Sequence, residues 1–170
     1  MGDATSATAE ELGIRNLVEE LGIRNLVGEL GIRNLVARNA DAVNRRDADA
    51  WSTTWTRDCE WHMLGNPTQG RDGVVALWRS FMEGFPFVLQ LVHSGTIELD
   101  PDQPTAASGR WYLSEIWKSP DGAGGTTVGV HHDRYVREEG AWLFARRRFD
   151  ILYMGPPDLS AEPSPFPTNI

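Results

Sequence analysis

The chain predicts an α+β domain with helices on one face of an antiparallel sheet. Residues up to about Gly84 carry apolar side chains at helical spacing, interrupted by one short alternating run. Four alternating segments follow, Val88–Leu99, Ala106–Lys118, Thr126–Glu138 and Ala141–Tyr153. The breaks between them carry turn residues, including Pro120-Asp121-Gly122 and Glu138-Glu139-Gly140, which suit hairpins. Helices first and a long-stranded meander after is the α+β pattern, and 170 residues suffice for one domain with a real core.

The chain opens on a tandem repeat. Glu11–Glu19, Glu20–Gly28 and Glu29–Ala37 all read E-L-G-I-R-N-L-V-x. At roughly 100° per residue, a nine-residue period turns each copy to the opposite side of a helix. One straight helix therefore buries only one copy in the normal register. The third is the candidate, because Ile32, Leu35, Val36, Asn39, Ala40 and Val43 continue its stripe to about Arg45. Residues 1–28 are expected to form an arm, helical in part, with its leucines against this subunit's exterior or a neighbour. A disordered, accidental expansion is the alternative. The domain proper is expected at 29–155.

Asp47 is expected to cap a second helix, Ala48 to about Thr56, with Trp51 and Trp55 one turn apart. Cys59 to Leu64 reads as a short strand in which Cys59, Trp61 and Met63 share a face and His62 points away. Asp72 is expected to cap a third helix, Gly73 to about Gly84, with Val74, Leu77, Trp78 and Phe81 on one stripe. Trp51, Trp55 and Trp78 would glue the helices to the sheet. After Gly155 comes a proline-rich tail, 156–170, which should run extended over a surface.

Composition narrows the function classes. A net charge of −8 argues against nucleic acid, whose phosphates want a basic face. Arg146-Arg147-Arg148 lies in an alternating strand, so its charges split between two faces as solvated or salt-bridged groups. The single cysteine, Cys59, allows no internal disulfide and has acids on both sides, which disfavours a thiolate; it is expected to pack as a small hydrophobe. No apolar run approaches membrane-spanning length and no signal-peptide pattern opens the chain, so the expected location is the cytoplasm.

His93 is the leading candidate for chemistry. Leu89, Leu91, His93, Ile97 and Leu99 share one parity, which turns the histidine to the apolar side. An ionisable group there is costly without a partner or a purpose. His131 and His132 are adjacent in a strand and face opposite sides. Together with His62 and His93 they show no metal-ligand spacing, so no metal is expected.

The chain resembles SnoaL-like proteins of the nuclear-transport-factor-2-like superfamily, in the branch of hexachlorocyclohexane dehydrochlorinase and scytalone dehydratase. The resemblance rests on Ile32-Arg33-Asn34-Leu35-Val36, Asn44-Arg45-Arg46-Asp47-Ala48-Asp49-Ala50-Trp51, Asp58-Cys59-Glu60-Trp61, Gly70-Arg71-Asp72-Gly73, His93, and Asp133-Arg134-Tyr135-Val136-Arg137-x-x-Gly140-x-Trp142. It implies a cone-shaped, strongly curved antiparallel or mixed sheet, with three helices closing a deep, mostly apolar pocket on the concave face. It also implies an Asp–His dyad that abstracts a proton without a cofactor. His93 matches the histidine, but Asn44 stands where the aspartate belongs. An asparagine keeps the shape and brings no charge.

The resemblance makes Trp61, Met63, Trp111, Leu113 and His131 candidate pocket residues. Glu115 shares parity with Trp111 and Leu113; facing the pocket it would replace the missing carboxylate, but an exposed edge position is expected. Tyr112 has the opposite parity. The reading is a cofactor-free lyase or isomerase on a small hydrophobic, cyclic substrate, with His93 as base and Asn44 orienting it. The alternative is a non-catalytic ligand-binding or oligomerisation module. Relatives of this branch form trimers and the wider fold often dimers, so self-association, as a trimer before a dimer, is expected, without nucleic-acid or membrane partners.

Overall fold

The computed structural model describes residues 3–63 and 65–164, with side chains described from Glu11 onward. Helix α1 spans Asp3–Asn44, α2 Ala48–Ser52 and α3 Arg71–Glu83. Strands β1 (Trp55–Met63) and β2 (Asn66–Gln69) precede α3. Strands β3 (Phe87–Leu99), β4 (Ala106–Lys118), β5 (Gly124–Glu138) and β6 (Ala141–Gly155) follow it. One six-stranded sheet has the order β2-β1-β6-β5-β4-β3. The β1–β6 pair is parallel and the other pairs are antiparallel, so the fold is α+β with a mixed sheet.

All three repeat copies lie on α1. Its 42 residues make a rod of roughly 63 Å. Only the third copy enters the core: Ile32, Leu35 and Val36 are buried, and Asn39, Ala42 and Val43 continue the stripe. Ile14, Leu17, Val18, Leu21, Ile23 and Leu26 of the first two copies are exposed. From Asp3 onward this segment is thus one continuous helix, and Leu12, Leu17, Leu21 and Leu26 have no cover among the described residues. Gly31 sets how close the rod comes to the sheet, since a Cβ there would stand 2.7 Å from the Trp142 indole.

Asp47 caps α2 as expected, accepting from the Ala50 N–H at 2.9 Å. The helix stops at Ser52, earlier than its apolar spacing suggests, and Trp55 opens β1 instead of sharing α2 with Trp51. Gly70, with φ 79°, occupies the N-cap of α3, and Asp72 sits in the first turn. Trp51 stacks on Trp78 at 5.1 Å and 17°, and Trp55 tilts against it at 5.1 Å. Such pairs are each worth about 0.5–1.5 kcal/mol beyond area burial, and these tie α2 and α3 to β1.

The alternation of β3 breaks in the middle. Its pairing with β4 shifts register between Val92 and Gly95, which places His93 and Ser94 in a bulge. Before the bulge Val88, Gln90 and Val92 face inward; after it Gly95, Ile97 and Leu99 do. Gly95 packs beneath the Trp111 ring, where a Cβ would come within 2.3 Å. His93 is therefore exposed, not on the apolar side, and its Nε2 lies 2.8 Å from Ser114 Oγ. The unbroken parity expected for Leu89–Leu99 fails because one strand carries two registers.

The tail over 156–164 has no helix or strand, and it is held where the Ser164 N–H donates to Leu152 O at 2.7 Å and the Tyr153 hydroxyl to Pro156 O at 2.6 Å. The rest of the proline-rich segment lies outside the described residues. No described helix is long and apolar enough to cross a membrane.

Candidate active site

A cavity of about 230 Å³ lies between the inner face of the sheet and the helices. Trp51, Trp61, Trp78, Phe81, Val88 and Phe149 are among the apolar residues of its wall. Polar groups enter it from two directions.

The first polar group is a row across three strands. Gln90 of β3 pairs with Glu115 of β4, and Glu115 with Thr127 of β5. All three line the cavity. Gln90 Nε2 donates to Glu115 Oε1 at 2.8 Å, and Thr127 Oγ1 accepts from the Trp117 indole at 3.0 Å. Burial pushes the Glu115 carboxyl above its ordinary range, and the Gln90 hydrogen bond opposes that shift. The residue as a whole is half-buried, with its carboxyl end turned into the apolar chamber. Glu115 thus faces the pocket, against the expected exposed edge position.

Asn44 fixes this row from behind. Its Oδ1 accepts from the Gln90 N–H at 2.7 Å and its Nδ2 donates to the Gln90 carbonyl at 2.9 Å. β3 is an edge strand, and the amide at the end of α1 satisfies both backbone groups of Gln90 that the open edge leaves over. Asn44 therefore grips β3 at the residue that holds Glu115. It does not orient His93, which lies in the exposed bulge bonded to Ser114.

The second polar group is a buried network. Arg147 Nε and Nη2 donate to the two Asp133 oxygens at 2.7 and 2.9 Å, and Nη1 donates to Asn39 Oδ1 at 2.9 Å. Asn39 Nδ2 donates to Thr54 Oγ1 at 2.8 Å, and the Tyr135 hydroxyl donates to Asp133 at 2.9 Å while accepting from Trp111 Nε1 at 2.7 Å. The guanidinium also lies 4.1 Å above the Phe144 ring. With both ionic partners fully enclosed, each needs the other to stay charged. Asn39 and Arg147 present this network to the cavity.

His131 lines the cavity beside it, edge-on to Phe149 at 4.8 Å. Burial holds its pKa well below the usual value, and the Arg147 and His132 charges add to the effect. That favours the neutral imidazole. The buried Trp61 Nε1 has no hydrogen-bond partner among the described residues. A carboxyl of raised pKa and a neutral imidazole in one apolar chamber are the equipment of acid–base chemistry.

The other expected site residues divide. Trp61 and Met63 line the cavity, as does His131. Trp111 and Leu113 share the inward face of β4 but are buried outside the cavity wall. Gly95 lets the Trp111 indole lie flat on β3, which spends the ring on the core. Cys59 is buried, its thiol pushed up to about 11 mainly by burial, so it packs as an inert apolar group. His62 points outward, paired with Glu60. Among the described residues no cluster of three or more histidines, cysteines and carboxylates could hold a metal ion.

Sequence reasoning missed Gln90, Asn39 and Arg147 as cavity residues. Gln90 was hidden by the bulge. Arg147 and Asp133 carried a signal, since both share inward parity with Phe149 and His131 on adjacent strands and are thereby forced to pair.

The family model described as a SnoaL-like domain matches residues 25–148. No curated protein matches the chain in sequence. Among solved structures, a scytalone dehydratase-like protein of Novosphingobium aromaticivorans is similar, with TM-score 0.73 and 18% identity over 88% of this chain and 98% of that one. A type 2 hexachlorocyclohexane dehydrochlorinase gives TM-score 0.74 and 17% identity over 88% and 99%. A type 3 hexachlorocyclohexane dehydrochlorinase of Novosphingobium barchaimii gives 0.73 and 16% over 86% and 99%. At these identities the likeness establishes the fold. With the family match covering most of the chain, this protein belongs to the SnoaL-like domain family.

Proposed function

We propose that this chain is a small-molecule pocket protein acting as a cofactor-independent lyase or isomerase on a small, hydrophobic, cyclic substrate, with Glu115 as the group that moves the proton. The observation that carries the reading is the Glu115 carboxyl itself, buried in an aromatic chamber, raised in pKa and gripped on one oxygen by Gln90. Family membership and neighbours described as a dehydratase and dehydrochlorinases support the reaction class.

The substrate ring lies against Trp61 and Trp78, with its polar group toward His131. The Glu115 carboxylate takes a proton from a ring carbon. The C–H electron pair becomes the new carbon–carbon double bond as the leaving group departs from the neighbouring carbon with its own bonding pair. Chloride leaves as the ion, and hydroxide leaves as water by taking up the proton that Glu115 has just accepted. In an isomerisation Glu115 returns the proton to another carbon. Gln90 steadies the carboxylate, Asn44 steadies Gln90, and neutral His131 hydrogen-bonds the substrate oxygen or halogen-bearing edge.

Turnover on a panel of scytalone-type, hexachlorocyclohexane and ketosteroid substrates tests this. Activity that Glu115→Gln abolishes is the expected result; full activity in that variant overturns it. A second reading, a non-catalytic ligand-binding or oligomerisation module, is favoured by one observation: both side-chain groups of Asn44 are spent on the Gln90 backbone, which leaves it no part in orienting a base. Quenching of tryptophan fluorescence by panel compounds, with no turnover, would select it.

Self-association belongs to the same proposal, with a trimer expected. The exposed Leu12, Leu17, Leu21 and Leu26 leave apolar area that no other described part of this chain covers.

A further inference from the structure

On the outward face of the sheet, a second cavity of about 410 Å³ has the opposite character to the first. Its walls carry Arg110, Arg134, Arg146, Arg148 and His132, together with Glu98 and Asp133, whose carboxylate is bound to Arg147. The strand registers stack these side chains in two adjacent rows. In one, Thr96, Arg110, His132 and Arg148 stand opposite one another across β3, β4, β5 and β6. In the other, Glu98, Ser108, Arg134 and Arg146 do the same.

Like charges directly opposite on neighbouring strands destabilise a sheet unless something neutralises them. Two of the four guanidiniums have local partners: Arg146 Nε lies 3.2 Å from Glu60, and Arg148 Nη2 lies 2.8 Å from Asp150. Arg110 and Arg134 have no carboxylate within ion-pair distance among the described residues. The buried Arg110 Nε has no hydrogen-bond partner among them either. His132 lies between these arginines; burial, then the Arg148 charge, lowers its pKa, as a positive surrounding requires, although Asp150 opposes the shift. On a chain of net charge −8, this concentration of cations in a concave polar site is set against the general balance.

We propose that this groove binds a tetrahedral oxyanion, a sulfate or phosphate group, free or as the ester end of a small molecule, held by Arg110 and Arg134 with Ser108 and Thr96 supplying hydroxyls. Guanidiniums offer forked donors matched to such oxygens, and charge-assisted bonds are the stronger class. Glu98, on the groove wall, opposes the anion and limits its affinity.

Calorimetric titration of the full chain with sodium sulfate, and separately with phenyl phosphate, at ionic strength fixed by sodium chloride, tests the site. Saturable binding at one site per chain is expected. Arg110→Ala with Arg134→Ala weakens it about tenfold or more, the loss of one charge-assisted contact or better. Glu98→Gln tightens it, which a merely structural role would not do. Glu115→Gln leaves it unchanged, so the result is independent of the inner pocket. Both arginines are at least partly exposed, and a wild-type circular dichroism spectrum checks the fold. Failure of both probes to saturate, or equal binding by the double arginine variant, overturns the proposal.

Discussion

At the scale of single residues, Glu115 governs two pH profiles. As a base it works when deprotonated, so kcat/KM rises with pH to a midpoint above the ordinary carboxylate range. Stability runs the other way. Burial favours the protonated carboxyl in the folded chain, so its folded pKa lies above the unfolded one. Between the two values the folded state holds a proton that the unfolded state has released, and stability falls as pH rises through the folded value. Chemical denaturation against pH is expected to show this slope in wild type, and Glu115→Gln to remove Glu115's part of it. Asn44→Asp also has a defined outcome. The new carboxylate would meet the Gln90 carbonyl where the amide now donates, at a cost of about 1–3 kcal/mol in unfolding free energy. A stability gain in that variant would contradict the grip assigned to Asn44. Asp133→Ala strands a buried guanidinium, and the same measurement should lose about 3–5 kcal/mol.

These residues also show where sequence reading stops. Trp61 and Met63 follow from alternation beyond Cys59, although β1 is irregular between Trp55 and Glu60; His131 was set apart from His132 by the resemblance and not by alternation. His93 was misplaced because parity arguments assume one register per strand, and the β3 bulge gives two. The local signal of that bulge is Gly95, an isolated glycine inside a strand pattern, and the Trp111 ring lies over it. Glu115 had the right parity all along; what parity alone could not supply was the depth of the chamber over that end of β4.

At the scale of elements, α1 is where pattern analysis reached furthest. A nine-residue period on a 3.6-residue helix allows one buried copy, and the structure buries one. Glycines at 13, 22 and 31 each weaken a helix, yet α1 runs unbroken over Asp3–Asn44. Gly31 is required by the Trp142 contact, whereas a Cβ on Gly13 or Gly22 meets nothing within 4 Å. Gly22→Ala should therefore stabilise the rod by about 1 kcal/mol and slow amide hydrogen exchange across residues 15–30. Gly31→Ala should instead lower the melting temperature of the whole domain, because its methyl meets the indole. The short α2 was overextended by the Trp51–Trp55 spacing, which is helical in sequence but bridges a turn into β1.

At the scale of the whole molecule, the sheet separates two environments. Its inner face holds an aromatic chamber with one raised carboxyl; its outer face holds stacked arginines. Beyond both, the exposed leucines of α1 predict association. Light scattering of the full chain should give the mass of three chains, and Leu17→Glu with Leu26→Glu should lower it; a single-chain mass for wild type would contradict that part. The central claim is that the proton is moved inside the chamber and not at the bulge. Steady-state turnover by wild type, Glu115→Gln and His93→Ala, measured side by side on the same substrate panel, tests it most directly. The account predicts loss of about 100-fold or more in the Glu115 variant, the usual weight of a positioned acid–base group, with the His93 variant unchanged. Activity that survives Glu115→Gln and disappears in His93→Ala would contradict it.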